Sequence, residues 1–273
     1  MLYSADALRS YDLRSTDGVL GRIDDFYFDD RFWAVRYLVV ETEGWLLQKH
    51  VLVSPRAVVA VDIHTDTIAT KLTKAQIEAS PSPDEHAPVS RQFEIAYNEF
   101  YEYSPYWIGP LAWGANSAPR LPQDAAPLEE RESWDSHLYS ARDLTGFTRY
   151  RVRTAPAAPE HVVTAKDGHV GHVADLIISD EDWVIRYLVV NTRGWLPGKH
   201  VLVPPQWTKV SWEDATLTVD LPRDAIKSAP SYEEGVPIDR DYEAKLFAHY
   251  CQQAYWSDDA VCYDPHGADP SGR

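Results

Sequence analysis

Apolar residues along this chain fall mostly at strand spacing, in short runs broken by polar turns. Ile23 to Phe28 and Val35 to Thr42 are rich in β-branched and aromatic residues, which predicts two strands. The polar stretch Asp29-Asp30-Arg31-Phe32 between them reads as a hairpin connection. Val51-Leu52-Val53 predicts a third strand, and Val58 to Ile63 and Thr67 to Lys71 two more around the turn His64-Thr65-Asp66. Lys209 to Trp212 and Leu217 to Asp220 repeat this last hairpin around Glu213-Asp214. Five or six short strands within roughly 70 residues imply a small barrel or a strongly bent sheet.

Helical spacing follows each strand set. Thr73 is placed to cap a short helix reaching Ala79. After Pro88, the residues Val89, Phe93, Tyr97, Phe100 and Tyr101 share one predicted helical face. Ile238, Tyr242, Leu246 and His249 or Tyr250 do the same later, with Ser90 and Asp239 as equivalent N-caps. The expected fold class is α+β, mainly β.

The pattern returns because the sequence does. Residues 17–55 align with 167–205 without a gap, and about 21 of the 39 positions are identical. The identities include Trp33, Arg36-Tyr37-Leu38-Val39-Val40, Gly44-Trp45-Leu46 and Lys49-His50-Val51-Leu52-Val53. One deletion later the match continues through Leu72 and Leu221 to Tyr106-Trp107 and Tyr255-Trp256. Leu2-Tyr3-Ser4-Ala5 also reappears, as Leu138-Tyr139-Ser140-Ala141. The expected division is a first copy over 1–112, a Pro/Ala-rich linker over 113–136, a second copy over 137–262 and a tail over 263–273.

Charge narrows the choice of partners. A formal charge of −16 repels nucleic-acid and anionic lipid surfaces on average, so no nucleic-acid partner is expected. No apolar run approaches the length of a membrane-spanning helix, and the N-terminus has no signal-peptide pattern. Two cysteines make neither a disulfide framework nor a cysteine metal site. A cytoplasmic location follows as the expectation.

Candidate chemistry is sparse. Gly18-x-x-Gly21 and Gly168-x-x-Gly171 precede strands, so they read as tight turns or close backbone approach rather than phosphate loops. Asp24, Asp25, Asp29 and Asp30 resemble a hard-cation set, but the spacing is not that of a calcium loop, and two of them flank a turn. Lys49-His50 and Lys199-His200 are the repeated polar pair. A histidine there could relay protons, or be held by structural hydrogen bonds, and strand alternation lets only one of each pair face inward. Arg36 and Arg186 read as stems covering apolar surface, with an anion site as the alternative. Trp45, Trp195, Tyr106, Trp107, Tyr255 and Trp256 suit either a partner interface or the sealing of one copy onto the other. No cofactor and no metal is expected.

The Asp-Gly-x-x-Gly opening, the Arg-Tyr-Leu-Val-Val strand and the Gly-Trp-Leu…Lys-His-Val-Leu-Val segment together resemble the PRC-barrel family, seen twice. The family includes the cytoplasmic domain of the photosynthetic reaction-centre H subunit and the C-terminal domain of a ribosome-maturation factor. The resemblance implies two tandem small β-barrels, each followed by helices, in a pseudo-twofold pair within one monomeric chain. It also implies a non-enzymatic module presenting a composite surface to a protein partner or small ligand. The alternatives are a membrane-peripheral aid to electron or proton transfer, using His50 and His200, and an enzyme with its site between the copies.

Overall fold

The computed structural model describes residues 1–42, 46, 50–82, 89–119, 137–145, 162–165, 168–192, 199–212, 216–252 and 254–256. The first part of the chain forms β1 (Leu2–Ser4), α1 (Ala5–Leu8), β2 (Asp12–Ser15), β3 (Gly18–Asp29), β4 (Val35–Thr42), β5 (His50–Val53), β6 (Val58–Asp62), β7 (Thr67–Thr70), α2 (Lys74–Ala79) and α3 (Arg91–Tyr101). The second forms β8 (Leu138–Ser140), α4 (Ala141–Thr145), β9 (Val162–Ala165), β10 (Gly168–Ser179), β11 (Ile185–Asn191), β12 (His200–Val203), β13 (Thr208–Ser211), β14 (Thr216–Val219), α5 (Arg223–Ser228), β15 (Ser231–Tyr232) and α6 (Arg240–His249). The chain is therefore mainly β with few helices.

Both sheets use one strand order. The first runs β5-β4-β3-β2-β7-β6, and the second β12-β11-β10-β9-β14-β13 with β15 beyond β12. Neighbours are antiparallel except β2 with β7 and β9 with β14, which are parallel. Among the described residues no pairing joins β5 to β6 or β15 to β13, so the expected closure into barrels is not seen.

The compact units do not follow the linker. One comprises Met1–Ala158 with Asp175–Arg186, the other Pro159–Ala174 with Tyr187–Arg273. The reason lies in an exchange of strands inside the first unit. Leu2–Ser4 pairs not with β3 but with Ser179 to Ile177 of β10. Reciprocally, Leu138–Ser140 pairs with Asp29 to Tyr27 of β3. The two hairpin tips also exchange bonds: Val35 N–H donates to Trp183 O at 2.8 Å and Ile185 N–H to Trp33 O at 2.7 Å. Trp33 and Trp183 hold φ of 55° and 56°, a left-handed setting unusual for so large a side chain.

β3 and β4 carry the core. Every residue of β4 from Val35 to Val40 is buried, because both faces of the strand are covered. Arg36 is therefore not a stem reaching for water: it is 1% exposed, which overturns the expectation of surface covering. β3 bulges at Asp24, between Ile23 and Asp25, which breaks simple in–out alternation. Tyr37, Val39, Leu52, Tyr97 and Tyr103 form one apolar cluster under α3.

The helix starts are as expected. Thr73 and Gln76 make a reciprocal capping box, and Ser90 and Asp239 accept from the N–H of Phe93 and Tyr242. The buried face of α3 differs from the predicted one. Tyr97 is buried, but so are Glu94 and Asn98, whereas Phe100 is 41% exposed. Glu94 turns inward because Arg91 and Tyr106 meet it there. Packing of the first copy continues through Trp113, which is 2% exposed.

Gly21 and Gly171 show close approach rather than turns. A Cβ on Gly21 would stand 2.0 Å from Glu41 O, and one on Gly171 1.9 Å from Asn191 O. Gly21→Ala must push β3 away from β4, so a loss of about 2 kcal/mol is expected. Urea unfolding checks this; a midpoint equal to that of the parent protein would show that the strands can part at no cost.

Candidate functional site

The two repeated histidines meet different acids. His50 opens β5, and its Nε2 lies 3.8 Å from Asp24 Oδ2 at the half-buried rim. Asp24 is also held by Arg142 Nη1 at 2.6 Å. His200 instead faces the exposed Glu234, with Nδ1 to Oε1 at 3.5 Å. The environments differ because position 174, equivalent to Asp24, is Ala174. Lys199 donates from Nζ to the carbonyls of Lys227 and Ala229, both at 2.7 Å, and so ties down the end of α5. Lys49, Trp45 and Trp195 lie outside the described residues.

The repeated Tyr-Trp pair is built into a second constellation that the sequence pattern did not single out. In the first copy Arg91 meets Glu94 at 2.9 Å, Tyr106 Oη donates to Glu94, and the Arg91 guanidinium lies 4.0 Å from the Trp107 ring centre. In the second, Arg240 meets Glu243 at 3.0 Å, Tyr255 Oη donates to Glu243 at 2.9 Å, and Arg240 lies 4.0 Å from Trp256. Each pair therefore clasps the helix of its own copy. The two clasps differ in cover. Tyr106 and Trp107 are 4% and 6% exposed, but Tyr255 and Trp256 are 40% and 36% exposed. Burial pushes Glu94 up to about 6, against the pull of Tyr106 and Arg91.

Sequence reasoning weighed Asp25 only within a cation set, and missed the role that it and its equivalent Asp175 share at mid-strand. Asp25 accepts from Ser140 Oγ and from Arg142 N–H, the latter at 3.1 Å. Asp175 accepts from Ser4 Oγ and from Asp6 N–H, again at 3.1 Å. The same serines cap α1 and α4 by accepting from Ala7 and Asp143 N–H. Each aspartate thus anchors the strand and helix start exchanged onto its strand. Arg9, whose Nη2 lies 3.6 Å from Asp25 Oδ1, supplies positive charge to both. Burial still dominates and pushes both carboxyls up to about 6. The signal was present: Ser4 and Ser140 repeat at an offset of 136, whereas Asp25 and Asp175 repeat at 150. Nothing in the linear order links the two offsets.

The remaining acids fall apart as a cation set. Asp29 accepts from the turn N–H groups of Arg31 and Phe32 and pairs with Arg36, as turn residues do. Asp180 meets the N-terminal amine. Among the described residues no three His, Cys, Asp or Glu side chains come together as a metal site. None of the described helices is long and apolar enough to cross a membrane.

Two mainly β modules of one strand order, each with glycines at the same close approach, define a duplicated small-sheet protein. The PRC-barrel domain model matches residues 2–77 and 161–226, and the chain belongs to that family. Among curated proteins none matches the chain.

Proposed function

We propose that the chain is a non-enzymatic docking module whose partner is a protein. The supporting observation is the open Tyr255–Trp256 clasp. The same side chains are buried in the first copy, yet in the second they remain exposed beside Arg240. Tyr, Trp and Arg are the residues that most often dominate binding at interface centres. Held by Glu243 and Arg240, they are pre-oriented, which lowers the entropy lost on docking.

The test compares the intact protein with a Tyr255→Ser/Trp256→Ser variant in capture from native lysate, followed by a direct binding titration of the recovered protein. The expected result is a partner whose affinity falls at least about tenfold in the variant. Equal affinity for both, or no partner, would remove the basis for this reading.

A second reading, peripheral proton transfer at a membrane, draws on His50 facing Asp24 and on two buried carboxyls near pH 6. Co-sedimentation with photosynthetic or respiratory membranes would favour it over soluble docking.

A further inference from the structure

Arg56 is a buried cation without an acidic partner among the described residues. It sits in the 3-10 turn Pro55–Ala57 and is 6% exposed. Its guanidinium lies 5.7 Å from the Tyr103 ring centre and 5.6 Å from that of Trp113. Arg36 approaches the same Trp113 ring at 4.8 Å. Lys71 Nζ donates to Arg56 O at 2.8 Å and lies 5.8 Å from the Tyr103 ring centre. Three cations thus gather around two rings. Of the nearby carboxylates, Asp29 is taken by Arg36 at 2.6 Å, and Glu94 by Arg91 at 2.9 Å and by Tyr106. Among the described residues neither Arg56 nor Lys71 has a carboxylate at ion-pair distance.

That arrangement is costly by itself. A guanidinium brought out of water needs an opposite charge or a full set of hydrogen bonds, because the low-dielectric surroundings disfavour the isolated ion. The strain registers as a downward push on Arg56 to about 10, from burial first and from Arg36 second. The rings stand near the outer limit of useful cation–π distance and accept none of its five N–H groups as a carboxylate would. Unlike Arg9 Nε, none of its nitrogens is both fully buried and without a bond.

The second copy shows that the fold does not require this cation. Its equivalents of Arg56, Lys71 and Tyr103 are Gln206, Asp220 and Gln252. Each of these three changes removes the positive charge or the ring. In a chain carrying 42 acidic residues, none of those described balances Arg56.

We propose that Arg56 is the floor of an oxyanion site in the first unit, with Lys71 as the second contact and Tyr103 and Trp113 as its walls. The ligand group is a carboxylate or a phosphate, which a guanidinium can bind through two parallel N–H donors. This site is independent of the Tyr255–Trp256 face.

The experiment is thermal unfolding of the full chain at neutral pH in chloride, in inorganic phosphate and in benzoate, at one ionic strength. At least one oxyanion is expected to raise the melting temperature by about 3 °C over chloride. A response to phosphate alone, or to benzoate alone, identifies which source the site takes. Arg56→Gln should abolish the rise while melting in chloride no lower than the parent. Arg56→Lys should keep part of it, and Lys71→Met should reduce it. The proposal is overturned if neither anion exceeds chloride, or if Arg56→Gln responds as the parent does. It is equally overturned if Arg56→Gln melts well below the parent or fails to fold, since Arg56 would then be a packing residue.

Discussion

Replacing Arg36 with methionine is expected to cost about 4 kcal/mol of stability, the largest loss from any single substitution considered for this chain. The residue is buried, and its Nε and Nη2 approach Asp29 Oδ2 at 2.7 and 2.6 Å. Its Nη1 donates to Ala112 O at 2.5 Å, and its guanidinium stacks 3.8 Å from the Tyr106 ring centre. Methionine fills similar volume but leaves Asp29 as a buried carboxylate with only two turn N–H donors. It also leaves a carbonyl without its donor and two aromatic rings without their cation. Replacing Asp29 with asparagine in the same protein should recover part of the loss, because the stranded charge is then gone. Urea unfolding of the two variants measures both effects. A single variant within about 0.5 kcal/mol of the parent would mean that the buried pair adds nothing to holding residues 106–113 in place.

The second large effect is pH-dependent and belongs to Asp25. Alanine there removes both hydrogen bonds to the exchanged segment and leaves Arg9 facing an apolar gap, for an expected loss of about 3 kcal/mol at pH 5. Asparagine keeps an acceptor for Arg142 N–H and removes only the charge. Its effect follows from the direction of the shift. The folded carboxyl holds its proton up to about 6, whereas the ordinary value is 3.8. Between these values the native state binds more protons than the unfolded chain, so stability falls as pH rises. The contribution is complete below about pH 4 and lost above about pH 6, and amounts to roughly 3 kcal/mol for a shift of this size. Asp175 behaves in the same way. Asp25→Asn should therefore gain on the parent protein as pH rises from 4 to 7. A difference between the two that stays constant across that range would show that Asp25 is ionised throughout.

These two aspartates explain why the first unit takes residues from both copies. Ser4 and Ser140 each serve twice, as a helix cap and as a donor to the aspartate of the other copy. An exchanged strand of three residues has few backbone bonds of its own. A buried carboxylate that accepts from both its serine and its helix N–H fixes its register.

The sequence by itself determined the duplication, the order of strand-forming segments and the helix starts at Thr73, Ser90 and Asp239. Those features rest on local chemistry: β-branched runs, side-chain caps and glycines at positions where another strand's carbonyl leaves no room for a Cβ. Tertiary structure alone decided which copy each short N-terminal strand joins, since Leu2–Ser4 carries the same residues as Leu138–Ser140 and fits either sheet locally. It decided that Arg36 is buried and that Arg56 meets no acid among the described residues, because strand alternation assigns a face and not what covers it. It also decided that Lys199 is a helix tie while His50 and His200 face different acids. Identical residues were given different partners by neighbours far away in the chain, and charge pairing depends on those neighbours rather than on the local pattern.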